Sequence, residues 1–93
     1  MRPLGILLAA AGLLQGCVSP APWARHSAQG DKAFHRWRYA EAERGFSAAL
    51  QEAERARPSA ASREQVAESL RRLAFLNYVQ GRYAEAEDYY RRV

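Results

Sequence analysis

The stretch Arg38-Tyr39-Ala40-Glu41-Ala42-Glu43 is spelled out a second time at Arg82-Tyr83-Ala84-Glu85-Ala86-Glu87. A six-residue echo in a chain of 93 residues points to a duplicated building block. The two tyrosines lie 44 positions apart (83 − 39), inside the range of roughly 20 to 50 residues that marks repeat architectures. Downstream of Tyr39, the residues Ala42, Phe46, Ala49, Leu50 and Ala53 recur at spacings of three and four, one apolar stripe along a helix. Downstream of Tyr83 the same offsets give Ala86, Tyr90 and Val93, so the same helix is written twice, the second copy shorter.

A second helical pattern precedes Tyr83, carried by Val66, Leu70, Leu73 and Ala74. Ser62 with Gln65 three residues later reads as a capping box, and Pro58 blocks continuation of the preceding helix, which runs through Ala56 to a linker at Arg57–Ser62. Gln80-Gly81-Arg82 supplies the turn, with Gly81 free to take a positive φ at the helix end. In the first copy the turn is His35-Arg36-Trp37-Arg38, without glycine, after a helix over about 24–35 that contains Gly30. Alanine, leucine, glutamate and arginine dominate while valine, isoleucine and threonine are scarce, which favours helix over strand. The sequence thus predicts an all-α fold of four helices in two pairs, the last incomplete. A plain coiled coil would need a sustained heptad, and none is visible.

The stretch Leu70 to Val93 resembles a tetratricopeptide repeat, close to the longer kinesin-light-chain type, through Leu70, Leu73, Ala74, Gly81, Tyr83, Ala86 and Tyr90. The resemblance extends to the first copy through Gly30, Tyr39, Ala42, Phe46 and Ala49, and departs from the family at His26, Gln29 and Asn77. It implies a short helical-hairpin solenoid over 24–93, with repeat one at about 24–57 and repeat two at about 62–93. Small residues (Ala74 with Ala86, Gly30 with Ala42) would sit where paired helices cross. Tyr83 and Tyr90 would fill the space between neighbouring pairs. It also implies that the first helix of each pair lines a partner-binding groove, here with Asp31, Phe34 and His35, then Arg71, Phe75 and Tyr78. Phe75 and Tyr78 lie off the apolar stripe and either grip a partner or bury against a neighbouring helix.

The N-terminus carries an address. Met1 and Arg2 precede an apolar run from Leu4 to Leu14, the layout of an export signal and too short for the roughly 20 apolar residues a spanning helix needs. Leu14-Gln15-Gly16-Cys17 then resembles the lipobox of bacterial lipoproteins. That resemblance implies cleavage after residue 16, lipid on Cys17, and a tether over 17–23 containing Pro20 and Pro22. The absence of aspartate at Val18 implies the periplasmic face of the outer membrane. Three other readings of the segment stand beside it: a conventional cleavage site near Ser19-Pro20-Ala21, an uncleaved anchor, or a buried helix. Trp23 either touches the membrane surface or caps the first helix.

Other chemistry is poorly supported. Cys17 is the single cysteine, so no intrachain disulfide framework exists. His26 and His35 are nine residues apart, about 180° around one helix, and would not share a metal. Glu41/Glu43 and Glu85/Glu87 are two apart and point in nearly opposite directions, while Glu87–Arg91 and Asp88–Arg92 have the spacing of ion pairs. The formal net charge is +4, but acids interleave with bases, which reads as a solvated helix surface and argues against nucleic acid. No phosphate loop, zinc pattern or hydrolase elbow is present, and no cofactor is expected. The expectation is a non-enzymatic, lipid-anchored scaffold for protein or peptide partners. Its alternatives are the front of a larger exported enzyme, or a non-functional fragment. With the chain ending inside its last helix, the uncapped C-terminal end is expected to dock on a partner or a second copy, or to mark truncation.

Overall fold

The computed structural model describes residues 21–93. The expected export signal, Cys17 and the expected tether up to residue 20 lie outside the described residues. Four helices follow one another: α1 (Pro22–His35), α2 (Tyr39–Arg55), α3 (Ala60–Val79) and α4 (Tyr83–Arg92). No strand occurs among the described residues. Successive helices pack as antiparallel hairpins, α1 with α2 and α3 with α4, and α2 also lies against α3. Trp23, Asp31 and Phe34 of α1 meet Ser69, Arg72 and Phe75 of α3 in the same chain order, so α1 and α3 run parallel.

The core follows the apolar stripes. Ala42, Phe46 and Leu50 of α2 close against Leu70, Leu73 and Leu76 of α3, with Ala33 reaching in from α1. Each buried leucine contributes roughly 1.5–3 kcal/mol relative to exposure. The six-residue echo opens α2 and α4 alike, and its second alanine, Ala42 or Ala86, is enclosed in both.

The two hairpin turns have one hydrogen-bond pattern. In the first, the N–H of Trp37 donates to the carbonyl of Phe34 at 3.0 Å and that of Arg38 to Ala33 at 2.9 Å. In the second, Gly81 donates to Tyr78 at 3.0 Å and Arg82 to Asn77 at 2.9 Å. Both are Schellman motifs, which need a left-handed residue just past the helix. Gly81 supplies it at φ 77°, and Trp37, 44 positions earlier, adopts φ 62° despite its side chain.

Several local expectations are corrected. Helix α1 starts at Pro22, which suits the first helical turn because its missing N–H has no intrahelical role there. Trp23 does not cap the helix, whose cap is Ala21; its indole Nε1 donates to the Ser69 hydroxyl at 2.8 Å, tying α1 to α3. The cap of α3 is Ser59, not Ser62. Ser59 Oγ accepts from the Ser62 N–H at 3.0 Å, and Ser62 Oγ accepts from the Ser59 N–H at 2.8 Å, a capping box with serine at both ends. The linker shortens to 56–59, and α2 ends at Arg55.

The close crossing in the first hairpin is Gly30 against Gly45, where Gly30 and Ala42 were expected. A Cβ on Gly45 would stand 2.7 Å from the backbone N of Gly30, and one on Gly30 would stand 2.5 Å from the Phe46 ring. Tyr83 and Tyr90 do not fill an inter-hairpin space; they are 64% and 47% exposed. Their counterparts differ: Phe46 is in the buried core cluster and Tyr39 packs on it, whereas no helix among the described residues covers α4 in the same way. The Asp88–Arg92 pair is not formed, because Arg92 reaches Glu54 of α2 at 3.5 Å and lies over the Tyr89 ring; Glu87–Arg91 is formed.

Candidate functional site

Because α1 and α3 lie parallel, a shallow groove runs between them. Five of the six residues expected to line a groove do so: Asp31, Phe34, His35, Arg71 and Phe75, around a depression of about 360 Å³. The Phe46 ring also lines it. Tyr78 sits just beyond, its ring stacked on Phe75 at 6.5 Å. On α3 the residues Glu64, Glu68, Arg71, Phe75 and Tyr78 recur at intervals of four and three, which places them on one helix face.

The charges of the groove neutralise one another. Arg72 bridges the helices, with its Nε 3.2 Å from Asp31 Oδ1 and its Nη1 3.2 Å from Glu68 Oε1. Arg71 contacts Glu68 at 2.8 Å and Glu64 at 2.9 Å. The hydrogen bond that Arg71 donates to Glu68, followed by that to Glu64, holds its guanidinium above its ordinary pKa. These pairs fix side-chain positions along an exposed surface and leave little net charge there.

The apolar part is more distinctive. Trp37 and Tyr39 are 6.4 Å apart between ring centroids, Tyr39 and Phe34 are 5.7 Å, and Phe34 and Phe75 are 5.8 Å. The series continues through Phe75 and Tyr78 to Tyr83, which meets Tyr78 edge-on at 5.4 Å. Six rings thus form one ladder across both hairpins, with His35 as a side branch 5.9 Å from Phe34. All these spacings are those of interacting aromatic pairs. Sequence reasoning placed Phe34, Phe75 and Tyr78 here but assigned Tyr39 and Tyr83 to packing and Trp37 to a turn. The missed signal was that each follows a helix end, and parallel first helices bring those ends together.

Phe75 touches Phe34 of α1 and remains 49% exposed, so it is only partly covered by the neighbouring helix. Asn77, a departure from the repeat pattern, is buried, and its Nδ2 donates to the Leu73 carbonyl at 2.8 Å. Among the described residues no group of three or more His, Cys, Asp or Glu is placed to hold a metal ion. No helix among them is long and apolar enough to cross a membrane. Comparison with protein-family models, with curated proteins and with solved structures gives no match.

Proposed function

We propose that this chain is a lipid-anchored interaction module of the cell envelope, built on tetratricopeptide-type repeats, that holds a protein partner along the α1–α3 groove. The observation that carries the reading is the ring ladder. Trp37, Phe75, Tyr78 and Tyr83 keep 80%, 49%, 55% and 64% of their surfaces in water while standing in one continuous row. Large aromatic rings gathered in this way are the usual anchors of protein interfaces. Trp37 adds to the case, since a non-glycine residue in the left-handed region costs about 1–2 kcal/mol that glycine avoids. The groove charges are already paired, so affinity comes from covering rings, and the fitting occupant is a peptide segment with an apolar face.

Anchoring is supported by the sequence Leu14-Gln15-Gly16-Cys17. Two acyl chains at Cys17 suffice for stable attachment, and the placement proposed is the periplasmic face of the outer membrane. Replacing Cys17 by Ser is expected to release the protein from membranes; unchanged fractionation and lipid labelling would refute the anchor. For the groove, a photo-crosslinking residue at Tyr78 in cells should yield a discrete protein adduct. Phe75→Ala is expected to remove that adduct while far-UV circular dichroism stays unchanged. An adduct that survives Phe75→Ala, or a loss of helicity with it, would refute the groove as a binding surface.

A further inference from the structure

The first hairpin carries a second concavity that the groove does not use. A cleft of about 520 Å³ lies between α1 and α2, lined by His26 and Lys32 of α1, by Arg36 just past its end, and by Glu41, Arg44 and Gly45 of α2. No residue of α3 or α4 lines it, so it opens on the face of the hairpin away from the ladder. The close Gly30–Gly45 approach underlies it and fixes the spacing of its walls.

Its charge sets it apart. Among the described residues Lys32, Arg36 and Arg44 form no ion pair, and Glu41 is the only acid lining the cleft. In the groove, by contrast, Arg71 and Arg72 are both fully engaged with carboxylates. Lys32 and Arg36 lie at the C-terminal end of α1, where cations complement the helix dipole. Arg44 sits in the middle of α2, where no such reason applies. Three unpaired cations around one open concavity, two of them guanidiniums able to fork onto an anion, make a site for phosphate oxygens.

The geometry points to anionic phospholipid headgroups as the source of that phosphate. This rests on the proposed lipid anchor. Pro22 lies five positions after Cys17 (22 − 17), and a fully extended chain spans at most about 3.6 Å per position. Helix α1 then begins within about 18 Å of the acyl chains, and the cleft runs along α1 from His26 to Arg36. We infer that this face of the hairpin lies on the membrane and acts with the acyl chains as a second attachment signal, leaving the ladder face turned away from the lipid. Single acyl chains with a basic patch follow the same logic.

The test uses the full chain carrying Cys17→Ser, sedimented with phosphatidylcholine vesicles and with the same vesicles doped with phosphatidylglycerol. The readout is the increment due to anionic lipid, which removes any charge-independent partitioning by the apolar segment at 4–14. Each cation at an anionic surface contributes on the order of fivefold. Lys32→Gln/Arg36→Gln/Arg44→Gln is therefore expected to lower the increment by roughly a hundredfold at low salt. Arg57→Gln/Arg63→Gln/Arg82→Gln removes the same charge from cations that are also unpaired and lie outside the cleft, and should cost far less. Equal losses in the two variants would overturn the site. Displacement from the vesicles by inorganic phosphate at concentrations matched to the lipid would assign the cleft to a free anion and overturn the lipid source. Matched binding to polyglutamate would assign it to an acidic protein instead. If lipid labelling is unchanged in Cys17→Ser while the vesicle result holds, the anchor reading falls and the cleft stands.

Discussion

Substituting Gly45 by alanine gives a test in which two well-understood effects have opposite signs. In an open helix interior, glycine to alanine stabilises by about 1 kcal/mol, because alanine loses less backbone freedom on folding. Gly45 lies within α2 among strong helix formers, so a reading from propensity alone expects that gain. The structure expects the reverse. The new methyl would meet the Gly30 backbone N at 2.7 Å, the Gly30 Cα at 2.8 Å and the His26 carbonyl oxygen at 3.0 Å. All three atoms belong to the α1 main chain, so no rotamer change relieves the contact. Comfortable carbon contacts lie near 3.5–4.0 Å, so α1 must retreat by about 1 Å over its middle. Overpacking on this scale costs about 1–3 kcal/mol, and the retreat also loosens Phe46 and Ala33 in the core. The net expectation is a loss of about 1–2 kcal/mol, or roughly 5–15 °C in Tm for a domain of this size. Urea unfolding of the full chain followed by far-UV circular dichroism measures it. Ala40→Gly, on the exposed side of α2, provides the reference for propensity without a steric partner. A Gly45→Ala protein with a raised midpoint would refute the close crossing and the placement of α1.

Two further outcomes follow from the same structure. Trp37→Gly is expected to leave the urea midpoint unchanged or raise stability by up to about 1 kcal/mol, while abolishing adducts at the groove; a loss beyond about 1 kcal/mol would show the ring to be structural. Trp23→Phe and Ser69→Ala should each destabilise, with the first leaving a nearly fully buried hydroxyl without its donor at a cost of about 1–3 kcal/mol. Their double variant should then lose less than the sum, and additivity to within about 0.5 kcal/mol would mean the indole–hydroxyl bond contributes nothing.

How far the fold could be read from residues depends on which interactions are local. The four helices were legible because Ala42, Phe46, Ala49 and Leu50 keep helical spacing, and because Tyr39 and Tyr83 set a common frame. The turn at Gly81 was legible, since glycine announces a left-handed residue; the identical turn at Trp37 was not, because the Schellman hydrogen bonds impose φ 62° on a residue that gives no such warning. Ser59 was passed over for Ser62 because the usual box ends in glutamate or glutamine, whereas here a second serine hydroxyl returns the bond. Gly45 carried a signal that went unused: a glycine amid helix formers needs a compensating reason, and the reason is Gly30 across the hairpin. The groove residues Asp31, Phe34, Arg71 and Phe75 were placed together by the repeat resemblance alone. The Trp23–Ser69 bond and the Arg92–Glu54 pair were not legible, since both link residues far apart in the chain, and only the packing angle brings them within reach.

The parallel stacking of α1 on α3 also makes the two outer faces of the stack unlike each other. On the α1 side, Lys32, Arg36 and Arg44 keep their hydration, and a helix laid there would have to strip it away. On the α4 side, Tyr83, Tyr90 and Ala86 line an open and largely apolar hollow of about 540 Å³. Tyr83, Ala86 and Tyr90 stand at the sequence offsets of Tyr39, Ala42 and Phe46. The stack therefore has a polarity, as a filament has a growing and a blocked end. A further helix gains buried surface on one side only, so enlargement of this architecture, within a chain or between chains, is vectorial.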